Sequence, residues 1–320
     1  MDIFVPNQAE IITSAPRGKA NNPAIVYLTS LPAKSGRRTQ KQALTTIAAW
    51  LGGTIENIEW GSLRYAHTTA IKAKIIDSGY APATIRKYLS ALRGALRAAW
   101  RLGQMSAEDL AKAIDLGKVG GSSLPAGRYV GEDEITRLFQ TCISDTGPAG
   151  VRDAALLAML YGCGLRREEA ISLNLEDLNR EAMTITIHGK RDKERVAYLT
   201  NGIADAMGDW LDVRGKRQGP LFLAINKSGK IRPQHRLSSQ MVYMTVRKRL
   251  TEAGLDSFSP HSLRRSFCSR LLDSGVDILT VSKLAGHANV QTTAIYDRRD
   301  SETQRQGAET LHIPYARRTA

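Results

Sequence analysis

The sequence predicts a mainly α-helical chain in two domains, the second of which also carries a small antiparallel sheet. Three observations carry this. Apolar residues recur at helical spacing from about residue 22 to 114. A run dense in glycine, serine and proline, Gly117-Lys118-Val119-Gly120-Gly121-Ser122-Ser123-Leu124-Pro125-Ala126-Gly127, then breaks the pattern. Beyond it the helical pattern resumes around one pair of period-two segments, 183–188 and 195–199, separated by a polar turn.

With 320 residues the chain is long enough for two domains that each bury a core. Its composition is globular: 42% hydrophobic, 24% charged, 11 prolines. Lys+Arg outnumber Asp+Glu by 45 to 31, for a formal net charge of +14, a balance that attracts polyanions and nucleic acid first among them. Charge kept only for solubility is the plainer reading. Cys142, Cys163 and Cys268 are far apart in apolar surroundings and form no metal-ligand spacing, as expected of core thiols in a reducing cytosol. No apolar run approaches the length of a membrane span, and the N-terminus lacks a secretory pattern.

Taken in order, residues 1–21 are polar and aperiodic and are expected to form a loosely ordered leader. The first domain spans 22–114. Ser35 to Lys41 opens a helix whose apolar positions Leu44, Ile47, Ala48 and Leu51 share one stripe, ended by Gly52-Gly53. A second helix is expected over 63–78, closed by Gly79. A third starts at Pro82 and runs through Ile85, Leu89, Leu92, Leu96 and Trp100. Its other face carries Arg86, Lys87, Arg93, Arg97 and Arg101. With Arg37, Arg38 and Lys41 these form a candidate DNA-contacting surface, since each cation that meets a phosphate releases a counterion. An ordinary solvated face looks the same in sequence. Residues 115–130 read as a linker.

The second domain spans 131–320. Glu132, Asp133 and Glu134 favour a helix N-terminus there. An apolar helix over 151–160 ends at Gly162-Cys163-Gly164, and another is expected over 165–173, placing Arg166 where free N–H groups favour an anion. Glu169, three residues on, faces the same side and is suited to orient that guanidinium. The hairpin follows, with Gly189-Lys190-Arg191-Asp192-Lys193 at its turn. Ser259-Pro260 marks a helix start. In that helix Leu263, Phe267 and Leu271 form the buried stripe and His261 and Arg264 share another edge. A helix over 277–285 stops at Gly286. His287 lies just beyond, and Tyr296 falls on a helix expected from about Asn289.

Two arginines, two histidines, a lysine and a tyrosine are thus spread from Arg166 to Tyr296. Such a set suffices to attack a phosphodiester: cations to hold the anion, proton carriers, and a hydroxyl nucleophile. Arg166, Lys190, Pro260-His261-Ser262-Leu263-Arg264-Arg265, Leu284-Ala285-Gly286-His287 and Tyr296, in this order, resemble the tyrosine recombinases of the phage integrase family. The resemblance spans about 128–300, and more loosely 22–114, where Ala83 to Arg93 looks like the last long helix of a core-binding domain.

The resemblance implies a helical, SAM-like core-binding domain and a mixed α+β catalytic domain. It also implies that Tyr296 attacks the scissile phosphate, giving a 3′-phosphotyrosyl link. Arg166 and Arg264 would clamp the phosphate, His261 would carry the proton, His287 would support the anion, and Lys190 would protonate the leaving 5′-oxygen. Lys193 is a rival for Lys190's task, and Arg191 stands where family hairpins carry a small residue. Ala285 replaces the larger aliphatic residue usual before Gly-His. Arg191, Lys193 and Arg265 join the candidate DNA contacts.

No metal or other cofactor is expected. The implied partners are double-stranded DNA with an inverted-repeat core site, a homotetramer on two duplexes, and a second recombinase or DNA-bending accessory. The implied location is a bacterial cytoplasm, at the nucleoid. The alternatives are relaxation by a type IB topoisomerase or a non-catalytic DNA-binding regulator. Leu311-His312-Ile313-Pro314-Tyr315 in the final segment would dock on a neighbouring protomer or fold back in cis.

Overall fold

The structure is a computed structural model that describes residues 18–121, 127–189 and 194–297, together with 305, 308–310 and 314. The chain divides into two compact units, Met1–Leu124 and Pro125–Ala320. The helices of the first are α1 (Pro23–Ser30), α2 (Lys34–Trp50), α3 (Tyr65–Asp77), α4 (Pro82–Arg101) and α5 (Ala107–Ile114). The Asn22 side chain caps α1 by accepting from Ile25 N–H at 3.1 Å, and its amide donates to the Ile55 carbonyl at 3.0 Å.

Leu44, Ile47, Ala48 and Leu51 of the expected α2 stripe are buried, as are Ile85, Leu89, Leu92 and Leu96 of α4. Full burial of such a side chain stabilises by about 1.5–3 kcal/mol. Trp100 corrects the expected stripe, for it is 45% exposed. Three residues after Arg97 and seven after Arg93, it falls on the basic side of α4. Residues 115–121, expected within a linker, pack on this unit. Leu116 is buried and its carbonyl accepts from Lys72 Nζ, while Arg86 Nη1 donates to the carbonyls of Val119 (3.4 Å) and Gly121 (3.1 Å).

The second unit contains α6 (Glu132–Ser144), α7 (Pro148–Gly162), α8 (Arg167–Ser172), β1 (Leu178–Asn179), β2 (Thr184–His188), β3 (Glu194–Tyr198) and α9 (Gly202–Arg214). Then come β4 (Leu223–Ile225), β5 (Ile231–Arg236), α10 (Ser239–Glu252), α11 (Pro260–Asp273), α12 (Ile278–Ala285) and α13 (Gln291–Ala294). The fold is mainly helical, with the expected antiparallel sheet, β1-β2-β3, and a second antiparallel pair, β4-β5. Leu156, Leu157, Met159 and Leu160 of α7 pack with Ile185, Ile187, Trp210, Phe222, Val246 and Leu250 in the main core.

Inside this unit Arg249, 1% exposed, holds Asp153 (Nε to Oδ2, 2.9 Å) and Asp145 (Nη2 to Oδ2, 2.6 Å). A smaller core joins Phe267, Cys268, Leu272, Val281, Ala285 and Tyr296. The three cysteines are buried and unpaired, and burial pushes their thiols up to about 11 for Cys142 and Cys268 and about 12 for Cys163. Among the described residues no helix is long and apolar enough to cross a membrane, and no group of three His, Cys, Asp or Glu side chains could hold a metal ion.

Candidate active site

Arg166 is the residue just before α8, and the local sequence fixes its fork. Glu169, in the first turn, accepts from the Arg166 backbone N–H (Oε2, 2.9 Å) and from its Nη1 (Oε1, 2.6 Å). Arg166 Nη2 donates to the Gly286 carbonyl at 3.3 Å. Its side chain stays 45% exposed. Glu169 is buried, which alone would raise its carboxyl. Hydrogen bonds from Arg195 and Arg166 outweigh that burial and hold it down at about 2.

The turn Gly162-Cys163-Gly164 between α7 and α8 sets the second arginine. Gly164 has φ +59°, a left-handed conformation, and a Cβ there would lie 2.4 Å from the Phe267 ring. The carbonyl this aims at α11 accepts from Arg264 Nη1 at 2.5 Å, and the Ala285 carbonyl accepts from Nη2 at 2.6 Å. Arg264 is 1% exposed. Burial, then the neighbouring Arg166, pulls its guanidinium down to about 10, so it is still a cation at neutral pH.

α11 starts at Pro260 as expected, although the Ser259 side chain makes no capping bond. Leu263 and Phe267 are buried, Leu271 is half-buried, and Leu272 beside it is fully buried. One turn apart on another face, His261 and Arg264 share an edge. Ser262, Ser266 and Ser269 line a further buried strip: the first two accept from the Arg128 and Val130 backbone N–H groups, and Ser269 Oγ donates to the Tyr296 carbonyl at 2.9 Å.

α12 is capped by Asp277, whose carboxylate accepts from Thr280 N–H, and Gly286 ends it at φ +64°. The chain then reverses and places His287 over the site, Nδ1 2.8 Å from Thr293 Oγ1. Tyr296 corrects the expectation that it falls on the helix starting near Asn289. α13 spans only Gln291–Ala294, and Tyr296 lies in the turn after it, its N–H bonded to the Thr293 carbonyl at 2.9 Å. The Tyr296 ring is 5% exposed, stacked 5.9 Å from the His287 ring, and its hydroxyl lies 3.3 Å from His261 Nε2.

Desolvation, then charge, sets the protonation of this cluster. Partial desolvation, then Arg264 and Arg166, lowers His261, which keeps an exposed side, and takes the half-buried His287 down to about 4, so both rings are neutral at pH 7. Burial and Cys268 raise the Tyr296 phenol, against the downward pull of Arg264, Arg265 and Arg166. A neutral imidazole next to a phenol, with two guanidiniums alongside, can accept a proton while an anion is held.

Five of the six candidate residues therefore converge: Arg166, His261, Arg264, His287 and Tyr296. Lys190, with Arg191 and Lys193, lies outside the described residues, as does nearly all of the segment from 311. Of the candidate DNA contacts, Arg37 donates to the Leu31 carbonyl (2.8 Å), Arg93 to Ile114 (3.2 Å) and Arg265 to Gly127 (2.6 Å), as Arg86 does to the segment after α5. Arg38, Lys41, Arg97 and Arg101 are exposed, and Lys87 is half-buried.

The sequence of the domain that carries this cluster matches the phage integrase family over residues 128–303, more than half of the chain. The chain belongs to the phage integrase family. It is a tyrosine recombinase, 32% identical to tyrosine recombinase XerC of Alcanivorax borkumensis over 81% of this chain and 82% of that one. It is 30% identical to tyrosine recombinase XerD of Lacticaseibacillus casei, covering 82% of this chain and 87% of the relative. These relatives support site-specific recombination as its activity. The fold is similar to that of the Tn1549 transposon integrase in complex with transposon right end DNA, with a TM-score of 0.70 at 14% identity, over 90% of this chain and 99% of that one.

Within this recombinase the sequence reading missed Arg195, Gly164, Ser269 and Thr293. Arg195 pairs across from Ile187, on the face of the sheet where Ile185, Ile187 and Ala197 are buried. The sequence offered no clear signal for it, because apolar residues fall on both faces of this strand. The others act through backbone carbonyls or a hydroxyl, which leave no pattern in sequence.

Proposed function

We propose that this recombinase cuts and rejoins double-stranded DNA at an inverted-repeat core site, with Tyr296 as nucleophile. The observation that carries the reading is the Tyr296 hydroxyl, 3.3 Å from His261 Nε2 and within the electrostatic reach of the Arg264 and Arg166 guanidiniums. The Tyr296 proton passes to His261 as the phenolic oxygen bonds to phosphorus. The bond from phosphorus to the 5′-oxygen breaks, and that oxygen takes a proton from Lys190. Arg166 and Arg264 stabilise the charge on the non-bridging oxygens, and His287 donates a hydrogen bond to one of them. The 3′-phosphotyrosyl link conserves the bond energy, so a 5′-hydroxyl from a partner duplex can reverse the step with no energy source or metal.

Exchange of two strand pairs in sequence passes through a Holliday junction held by four protomers, with a second recombinase or a DNA-bending protein as a further partner. The net charge of +14 and the exposed Arg97, Arg101, Arg38 and Lys41 support DNA binding by the first unit. The test uses nicked duplexes tiled across the DNA flanking the gene. A site-dependent, SDS-resistant protein–DNA adduct is expected, and it disappears in Tyr296→Phe. Binding without an adduct would instead favour a DNA-binding regulator, and site-independent relaxation of supercoils a topoisomerase.

A further inference from the structure

Both groups that hold the Arg166 fork are themselves held by one residue outside the six, Arg195 on β3. Its Nη2 donates to Glu169 Oε2 at 2.8 Å, and Glu169 in turn takes Arg166 Nη1. Its Nε donates to the Leu284 carbonyl at 3.1 Å, at the end of α12. The same side chain packs closely against Gly286: a Cβ there would come 2.7 Å from Nη1, 3.0 Å from Cδ and 3.1 Å from Cζ. Gly286 supplies the carbonyl that accepts Arg166 Nη2, and His287 follows it in the chain.

An arginine at this place has an apolar alternative. The side chain is 11% exposed and in phase with Ala197, so a leucine or methionine would fill the space without the cost of desolvating a charge. What an apolar side chain cannot do is span Glu169 and the Leu284 carbonyl at once. The planar fork, with donors at fixed angles, does so. Its charge also balances Glu169, which leaves the Arg166 charge less neutralised by that carboxylate.

We propose that Arg195 is a positioning residue for strand cleavage: it fixes Glu169 and the Leu284–Gly286 turn so that Arg166 presents its remaining donors to the scissile phosphate. Its hydrogen bonds go to Glu169 and the Leu284 carbonyl, so it acts through Arg166 and this turn. The proposal rests on the reading of the site given under the proposed function.

The test measures single-turnover adduct formation at saturating nicked duplex, with DNA affinity and melting temperature measured alongside. The variants are Arg195→Met, Arg195→Lys, Glu169→Gln and the double variant Arg195→Met/Glu169→Gln. A misplaced clamp slows the chemical step without weakening binding, so Arg195→Met should form adduct roughly 10- to 100-fold more slowly, with affinity within about threefold of wild type. Arg195→Lys, whose ammonium lacks the two-pronged geometry, should also be slowed. The loss in the double variant should fall well short of the product of the two single losses, because the link to Glu169 is then already cut.

Losses that multiply would overturn the proposal, as would cleavage by Arg195→Met or Arg195→Lys at the wild-type rate. If Arg195→Met does not fold, Arg195→Lys alone decides. Absence of an adduct with the wild-type protein would overturn the proposed function itself, a different outcome from a normal wild-type adduct with unaffected variants.

Discussion

Gly164→Ala is the perturbation whose cost the structure specifies most closely. Gly164 has φ +59°, where an L-residue with a Cβ costs about 1–2 kcal/mol. The new methyl would also sit 2.4, 2.7 and 3.0 Å from three Phe267 ring carbons, and Phe267 is 9% exposed in the small core under Tyr296. Overpacking of this kind costs a further ~1–3 kcal/mol. The expected destabilisation is therefore about 2–5 kcal/mol. Native-state hydrogen exchange of α7 and α11 amides in the full chain reads this directly. At about 1.4 kcal/mol per tenfold, exchange should accelerate by roughly 30-fold to several-thousand-fold. In Gly164→Ala/Phe267→Ala the overpacking share should vanish, so the double loss is smaller than the sum of the single losses. Exchange within threefold of wild type in Gly164→Ala would refute both the strain and the contact. Because the Gly164 carbonyl holds Arg264, adduct formation should fall as well.

Arg249→Met should lower stability by roughly 1–3 kcal/mol, since it leaves the buried Asp153 Oδ2 without its donor while Arg152 still holds Oδ1, and frees Asp145, and a melting curve within a degree of wild type would contradict this. Ser269→Ala removes the donor to the Tyr296 carbonyl, at about 1–3 kcal/mol for an unsatisfied buried acceptor, and adduct formation should slow with it. His188, between Asp177 (3.1 Å) and Glu194 (2.9 Å), has its pKa raised chiefly by the bond to Asp177. A raised folded pKa gives stability that is fully present below about pH 6.5 and is lost as pH rises through the folded value. Exchange protection of the paired β2 and β3 amides should thus fall from pH 6 to pH 9, and His188→Gln should flatten that slope.

Elements with one strong period were legible in the sequence. The α2 and α4 stripes, the Pro260 helix start and the Gly286 stop all follow from local rules, and the structure has each. Trp100 was misplaced because a helix end permits either edge of the stripe, and the exposed edge is taken here. The extent of α13 was not legible, because the contact of the Thr293 hydroxyl with His287 Nδ1 is tertiary and leaves no local pattern. The β4-β5 pair was invisible for a different reason: the Ile231-Arg232-Pro233-Gln234-His235-Arg236 strand is almost wholly exposed and carries no alternation.

The five candidate residues that converge were singled out by order and spacing, because the chemistry proposed for them resides in side chains. The supports were harder. The carbonyls of Gly164, Ala285 and Gly286 aim the two arginines, and a carbonyl's direction is a property of backbone conformation. Arg195 was hidden because both faces of its strand carry apolar residues, Val196 and Tyr198 on one and Ala197 and Leu199 on the other. Only the packing shows that the second face is inward.

The central claim is that Tyr296 becomes covalently joined to DNA. The measurement that tests it most directly is a peptide map of the protein after reaction with a nicked duplex and nuclease digestion. The nucleotide mass should sit on the peptide containing Tyr296, with fragment ions locating it on that phenol. A nucleotide on any other residue, or none on a protein that binds the duplex, would contradict the account.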